Sequence, residues 1–155
     1  MDERVNERVN ERPLVDWPAV LRGAIAGLVV IVPVTVLRAL VSHRVHDFDH
    51  SAWAAPFFFA ILIAYAVAGW VAGRSTPGAP LSNGALAGLG SVVLWLPLRI
   101  AIWAIRDDHR GLFTGAHPTM TVAQVFGALV LAAAFGILGA LLAARKVRSS
   151  AGVDR

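Results

Sequence analysis

Cysteine is absent from this chain of 155 residues, which excludes disulfides and thiolate chemistry. Charge is scarce as well: DEKR residues make up 15%, against about 25% in soluble domains. None of the four long apolar runs carries an Asp or Glu, so a proton relay through buried carboxylates has no members. No His-Glu-x-x-His pair occurs, and the glycine-rich stretch from Gly84 to Gly90 lacks the Lys-Ser/Thr ending of a phosphate loop. No run offers a nucleophile beside a base, so the chain reads as non-enzymatic, with no cofactor. No connector is long enough to build a soluble core of its own. No basic module is present to enter a nucleic-acid groove, which removes that class of partner.

What is present is apolar sequence. AVILMFWYC residues make up 57% of the chain, and they gather in stretches at about 19–41, 52–72, 84–105 and 122–144. A helix rises about 1.5 Å per residue, so about 20 residues cross a hydrocarbon core of about 30 Å. In lipid every backbone polar group must be satisfied within the chain, and runs without strand alternation meet that demand as helices. The expected fold is therefore all-α: a polytopic membrane four-helix bundle over 17–145. It is flanked by a charged N-terminal tail, 1–16, and a basic and polar C-terminal tail, 146–155. The first run is too long for a signal-peptide core and has no Ala-x-Ala site after it, so it reads as a retained span.

An even number of spans puts both termini on one side. Nine Lys and Arg residues then fall on the terminal side and five on the other, and the positive-inside rule places both termini in the cytoplasm of a cell membrane. Arg145, Lys146 and Arg148 follow the last span directly and suit anionic headgroups as partners.

Two halves of the chain look like copies. Gly23-Ala24-Ile25-Ala26-Gly27-Leu28 matches Gly84-Ala85-Leu86-Ala87-Gly88-Leu89, and an Arg follows fifteen residues after the first Gly in each, Arg38 and Arg99. Pro33 and Pro97 lie between. The following spans close on Ala72-Gly73-Arg74 and Ala143-Ala144-Arg145. The pattern predicts two parallel-repeat helical hairpins, related by a pseudo-two-fold axis along the membrane normal. Small residues one turn apart let helix backbones approach closely. Gly23, Gly27, Gly69, Gly73, Gly84, Gly88, Gly136 and Ala140 have that spacing, and all fall in the terminal half. A bundle tight at that end and splayed at the other is expected.

Two groups of residues are candidates for chemistry. All five histidines fall on the side away from the termini, where His43, His46 and His50 share the first connector with Asp47 and Asp49. The spacing is too loose to predict a metal site, and these histidines are the nearest approach to one. Arg38 and Arg99 are sharper. Arg inside a span costs at least about 2.5–3.5 kcal/mol at mid-membrane, and Trp95 and Trp103 stand four residues either side of Arg99 to offer ring faces to its guanidinium. Two readings follow: arginines that snorkel and pair with connector carboxylates, or an anion-binding vestibule made of Arg38, Arg99, Trp95 and Trp103.

The centre of the chain, Val67-Ala68-Gly69-Trp70-Val71-Ala72-Gly73-Arg74 with Asn83-Gly84-Ala85-Leu86-Ala87-Gly88-Leu89, resembles a pattern of small bacterial four-span membrane proteins of unknown function. The resemblance implies a compact bundle in a bacterial membrane and brings no site residues with it. The leading expectation is a structural, accessory or regulatory subunit, associating with itself or with another membrane protein. The alternative is a small transporter or channel whose outward-facing vestibule holds Arg38 and Arg99.

Overall fold

The computed structural model describes residues 15–42, 44, 48, 51–76, 78–105 and 121–151. Among them are four helices and no strand: α1 (Trp17–Ser42), α2 (Ala54–Ser75), α3 (Pro80–Ile105) and α4 (Val122–Ala151). All four are long and apolar enough to cross a membrane, so the protein is an all-α, four-helix bundle of multi-pass type.

The helix ends are set by local polar chemistry rather than by where apolar sequence stops. Asp16 caps α1: its Oδ1 accepts from the Ala19 N–H at 3.1 Å, and Pro18 lies in the first turn, where its missing N–H costs nothing. The helix thus begins ahead of 19. Pro80 opens α3 for the same reason, so the Pro-rich link contributes a turn of helix ahead of 84. At the end of α2 the Ser75 and Thr76 hydroxyls donate to Val71 O and Ala72 O at 3.2 and 3.0 Å. Both are i→i−4 back-bonds onto the last turn, and α2 runs past 72. Thr121 and Gln124 form a capping box: Gln124 N–H donates to Thr121 Oγ1, and Thr121 N–H donates to Gln124 Oε1. The other end of α4 continues beyond 144, carrying Arg145 and Lys146 out on exposed helix.

Helix α1 packs on α2 and α3 on α4, as two hairpins. The hairpins lie side by side and run the same way. Gly23 sits against Ala87 and Gly27 against Ser91, so α1 and α3 are parallel neighbours. Gly69 against Gly136 and Gly73 against Ala140 make α2 and α4 parallel neighbours too. A two-fold along the membrane normal would make α1 meet α4 as α2 meets α3. Instead α2 and α3 pack together while α1 and α4 barely touch. The arrangement is a side-by-side stack, which corrects the expected axis.

The interior is made of the smallest side chains. Ala64, Ala68, Ala72, Ala87, Ala132, Ala140 and Ala143 are fully enclosed, while Leu21, Val29, Leu40, Ile63 and Phe126 face outward. In water that distribution would forfeit the hydrophobic effect. In lipid, tails are as apolar as leucine, and close backbone packing drives association instead. Buried helical positions stop at one level, at Ile31, Leu62, Val92 and Ala132. Among the described side chains, no helical residue nearer the opposite end is buried.

Candidate functional site

Two features differ from ordinary packing: a closed seam at the terminal end, and a pair of arginines above it.

The seam is built by glycine because nothing larger fits. A Cβ on Gly69 would overlap the Gly136 carbonyl, and one on Gly139 would overlap the Ala66 carbonyl of α2. One on Gly88 would overlap the Ala132 carbonyl. The two hairpins close alike: a Gly23 Cβ would meet Ala68 O at 2.5 Å and Ala72 Cβ at 3.0 Å, and a Gly84 Cβ would meet Gly136 O at 2.8 Å and Ala140 Cβ at 2.5 Å. This aligns Ala72 of the first hairpin with Ala140 of the second, about one turn away from the alignment suggested by Arg74 and Arg145. All eight small residues singled out by spacing, Gly23, Gly27, Gly69, Gly73, Gly84, Gly88, Gly136 and Ala140, are buried here.

Two polar side chains in this region, Asn83 and Ser91, were not singled out by the sequence reading. Asn83, 1% exposed, accepts from the Asp16 N–H on Oδ1 at 2.8 Å and donates from Nδ2 to Ala79 O at 2.8 Å. It ties the start of α3 to the start of α1. Ser91, fully buried, donates to Ala87 O in its own helix at 3.0 Å and lies 3.2 Å from Ala24 O of α1. For Ser91 the sign to look for was a polar residue inside an apolar run beside small neighbours; Asn83 lies just ahead of its run.

Arg38 and Arg99 belong to the core stripes of their helices. Eleven residues make three helical turns to within a small angle. Arg38 therefore lies on the face of Gly27, which meets α3, and Arg99 on the face of Gly88, which meets α4. Ile31 and Val92, both buried, continue the same stripes between them. Arg99 is half-buried with its guanidinium 4.9 Å from the Trp95 ring centre. Arg38 is exposed and lies 5.5 Å over the ring of Phe48, a connector residue that also packs at 5.8 Å on Phe57 of α2. Both stand toward the non-terminal ends of parallel neighbours, α1 and α3. Beneath them the buried Tyr65 joins Ile31, Leu62, Val92 and Ala132, with Trp95 packed against that cluster.

The Trp103 side chain and His43, His46 and His50 lie outside the described residues, as do Asp47, Asp49, Asp107 and Asp108. At the terminal end Arg74 stacks on Trp70 at 4.5 Å. Arg22, Arg74, Arg145 and Lys146 are exposed there, with Trp17 also outward-facing. That is an aromatic and basic collar suited to a membrane interface. The Arg148 side chain is outside the described set. No protein-family model, curated protein or solved structure matches this chain.

Proposed function

We propose that this chain is a non-catalytic structural, accessory or regulatory subunit of a bacterial cell membrane, with both termini in the cytoplasm. The observation that carries the reading is the terminal half of the bundle, where four helices meet backbone to backbone and alanines fill the interior. A plug of that kind favours a rigid scaffold over a conduit. Its outward faces, rich in Leu, Ile and Val, are free for lipid, for a second copy or for another membrane protein. The basic collar of Arg22, Arg74, Arg145 and Lys146 supports the cytoplasmic placement of that end and a preference for anionic headgroups. The absence of Asp, Glu, His and Cys from all four helices supports a non-catalytic role.

Arg38 and Arg99, at matching places toward the far ends of the parallel neighbours α1 and α3, favour a second reading, a small transporter or channel with an anion vestibule on that side. Flux through purified protein in liposomes separates the two. Chloride and phosphate movement no faster than in empty vesicles is expected for a subunit. Flux that disappears in R38Q and R99Q would replace that reading with the second.

A further inference from the structure

We propose that the Tyr65 hydroxyl is the polar anchor of a binding site at the floor of the bundle's open half, for a neutral, membrane-dissolved molecule carrying a ring carbonyl, of the quinone type. Tyr65 is 6% exposed, and among the described residues its hydroxyl has no hydrogen-bond partner. A buried phenol ordinarily finds one, because an unpaired donor in apolar surroundings carries its full desolvation cost. Ile31, Leu62, Val92 and Ala132 enclose it, and none has a polar side chain. The hydroxyls of Thr35 and Ser91, on α1 and α3, donate instead to carbonyls of their own helices, Ile31 O at 2.8 Å and Ala87 O at 3.0 Å. A trapped water needs two or more polar partners to stay in place, and this cluster supplies one.

The phenol is directed at the open half. Helical side chains lean toward the start of their own helix, and α2 starts at the end away from the termini. The contacts agree: Ile31 and Val92 lie outward of the crossing where Gly27 meets Ala68 and Ser91. On the open side Ile61, Trp95 and Leu129 pack against the cluster and are only partly covered. Beyond them no described helical side chain is buried. A mostly apolar recess with a single convergent polar group is the usual build of a small-molecule site, where the polar group fixes orientation.

The surroundings restrict the occupant. A lone O–H among apolar side chains calls for a neutral acceptor, since a charge brought there would stay uncompensated. Tyr65 stands eleven residues inside the start of α2, about 16 Å along the axis. Even after the phenol reaches back by a turn, its hydroxyl lies deeper than the ester carbonyls of lipids, which stay near the helix ends. The acceptor must therefore ride on a body soluble in hydrocarbon, and Trp95 offers a flat ring a face to stack on.

The experiment is a titration of the full chain in phosphatidylcholine nanodiscs with decylubiquinone, read by quenching of tryptophan emission. Decylbenzene, which keeps a ring and the alkyl chain but has no carbonyl, serves as competitor. Wild type is expected to quench saturably, and Y65F to bind about fivefold more weakly, the scale of one hydrogen bond. Decylbenzene is expected to displace the quinone at least about fivefold less well than unlabelled menadione does, for the same reason. Y65F removes a group without a partner in the empty protein, so its unfolding midpoint in the absence of quinone should equal or exceed that of wild type.

Equal affinity in wild type and Y65F overturns the proposal, as does quenching that rises without saturation in both. Displacement by decylbenzene as effective as by menadione refutes the carbonyl as the recognised group. A lower midpoint for empty Y65F would show the hydroxyl already engaged within the protein, and sinks the site. The reading of the chain as a non-catalytic subunit is tested separately by anion flux, since a scaffold can hold this ligand or lack it.

Discussion

Adding one methyl group at Gly69 or Gly136 tests whether the helices truly meet backbone to backbone. The Gly69 Cβ would fall on the Gly136 carbonyl of α4; the Gly136 Cβ would fall on the Gly84 carbonyl of α3, with Gly84 C at 3.1 Å and Ala85 Cα at 3.4 Å. These are main-chain atoms, which cannot rotate aside, so the helices must separate. A gap of about 1 Å forfeits up to about half of each dispersion contact across the seam. Overpacking of this kind costs about 1–3 kcal/mol, and rigid neighbours put these sites at the upper end. Alanine returns about 1 kcal/mol of helix propensity, leaving a net loss of about 2 kcal/mol for each variant. Gly127, also in α4, has nothing within 4 Å of its Cβ position, so Gly127→Ala should gain up to about 1 kcal/mol. The spread of about 3 kcal/mol between test and control is measurable by dodecyl sulfate titration from mild detergent, followed by tryptophan emission and far-ultraviolet circular dichroism. The G69A/G136A double variant should lose less than the sum of the singles by at least about 0.5 kcal/mol, because one separation relieves part of both overlaps. If G69A and G136A prove as stable as G127A, the close α2–α4 and α3–α4 crossings are wrong, and with them the account of the plug.

Other consequences follow from single residues. Asn83→Ala removes an acceptor for the Asp16 N–H and should cost about 1–3 kcal/mol, since that donor is left without its partner; an unchanged unfolding midpoint would show that the α1–α3 tie is idle. Ser91→Ala should cost only about 0.6 kcal/mol, the usual worth of a hydrogen bond between membrane helices. Ser91→Val should cost more than about 1 kcal/mol, because Gly27 has no room for added bulk; a reversed order in the same titration would refute the packing at this crossing. Reporter fusions at residues 1 and 155 should both be active in the cytoplasm, and activity on opposite faces would remove the four-span topology.

The fold was legible because the bilayer leaves few options: long apolar runs without alternation must be helices, and four of them with short connectors make a bundle. The helix ends were less legible, since capping by Asp16 and Thr121, Pro80 at a first turn and the hydroxyls of Ser75 and Thr76 all act outside the hydropathy signal. The glycine spacing identified residues that are buried in the seam, but spacing alone carries no partner. That Gly69 meets Gly136 while Gly23 meets Ala87 depends on how the hairpins are set against each other.

The repeat shows why a strand of sequence similarity does not fix symmetry. Matching Gly23 with Gly84 and Arg38 with Arg99 holds along α1 and α3, but the second helices align through Ala68 with Gly136 and Ala72 with Ala140. The Arg that ends each hairpin therefore stands at a different height, Arg74 close to the end of α2 and Arg145 within a longer α4. Once each copy closed on itself through the same Gly–Ala contacts, the remaining small faces could meet edge to edge only by stacking the hairpins, because Gly69 and Gly73 of α2 need the bare backbone of α4. A two-fold would have spent those faces on the α1–α4 pair, where α1 has already committed Gly23 and Gly27 to α2 and α3. The same stacking sets α1 beside α3 in parallel, and that is what brings two equivalent arginines to one end of the molecule.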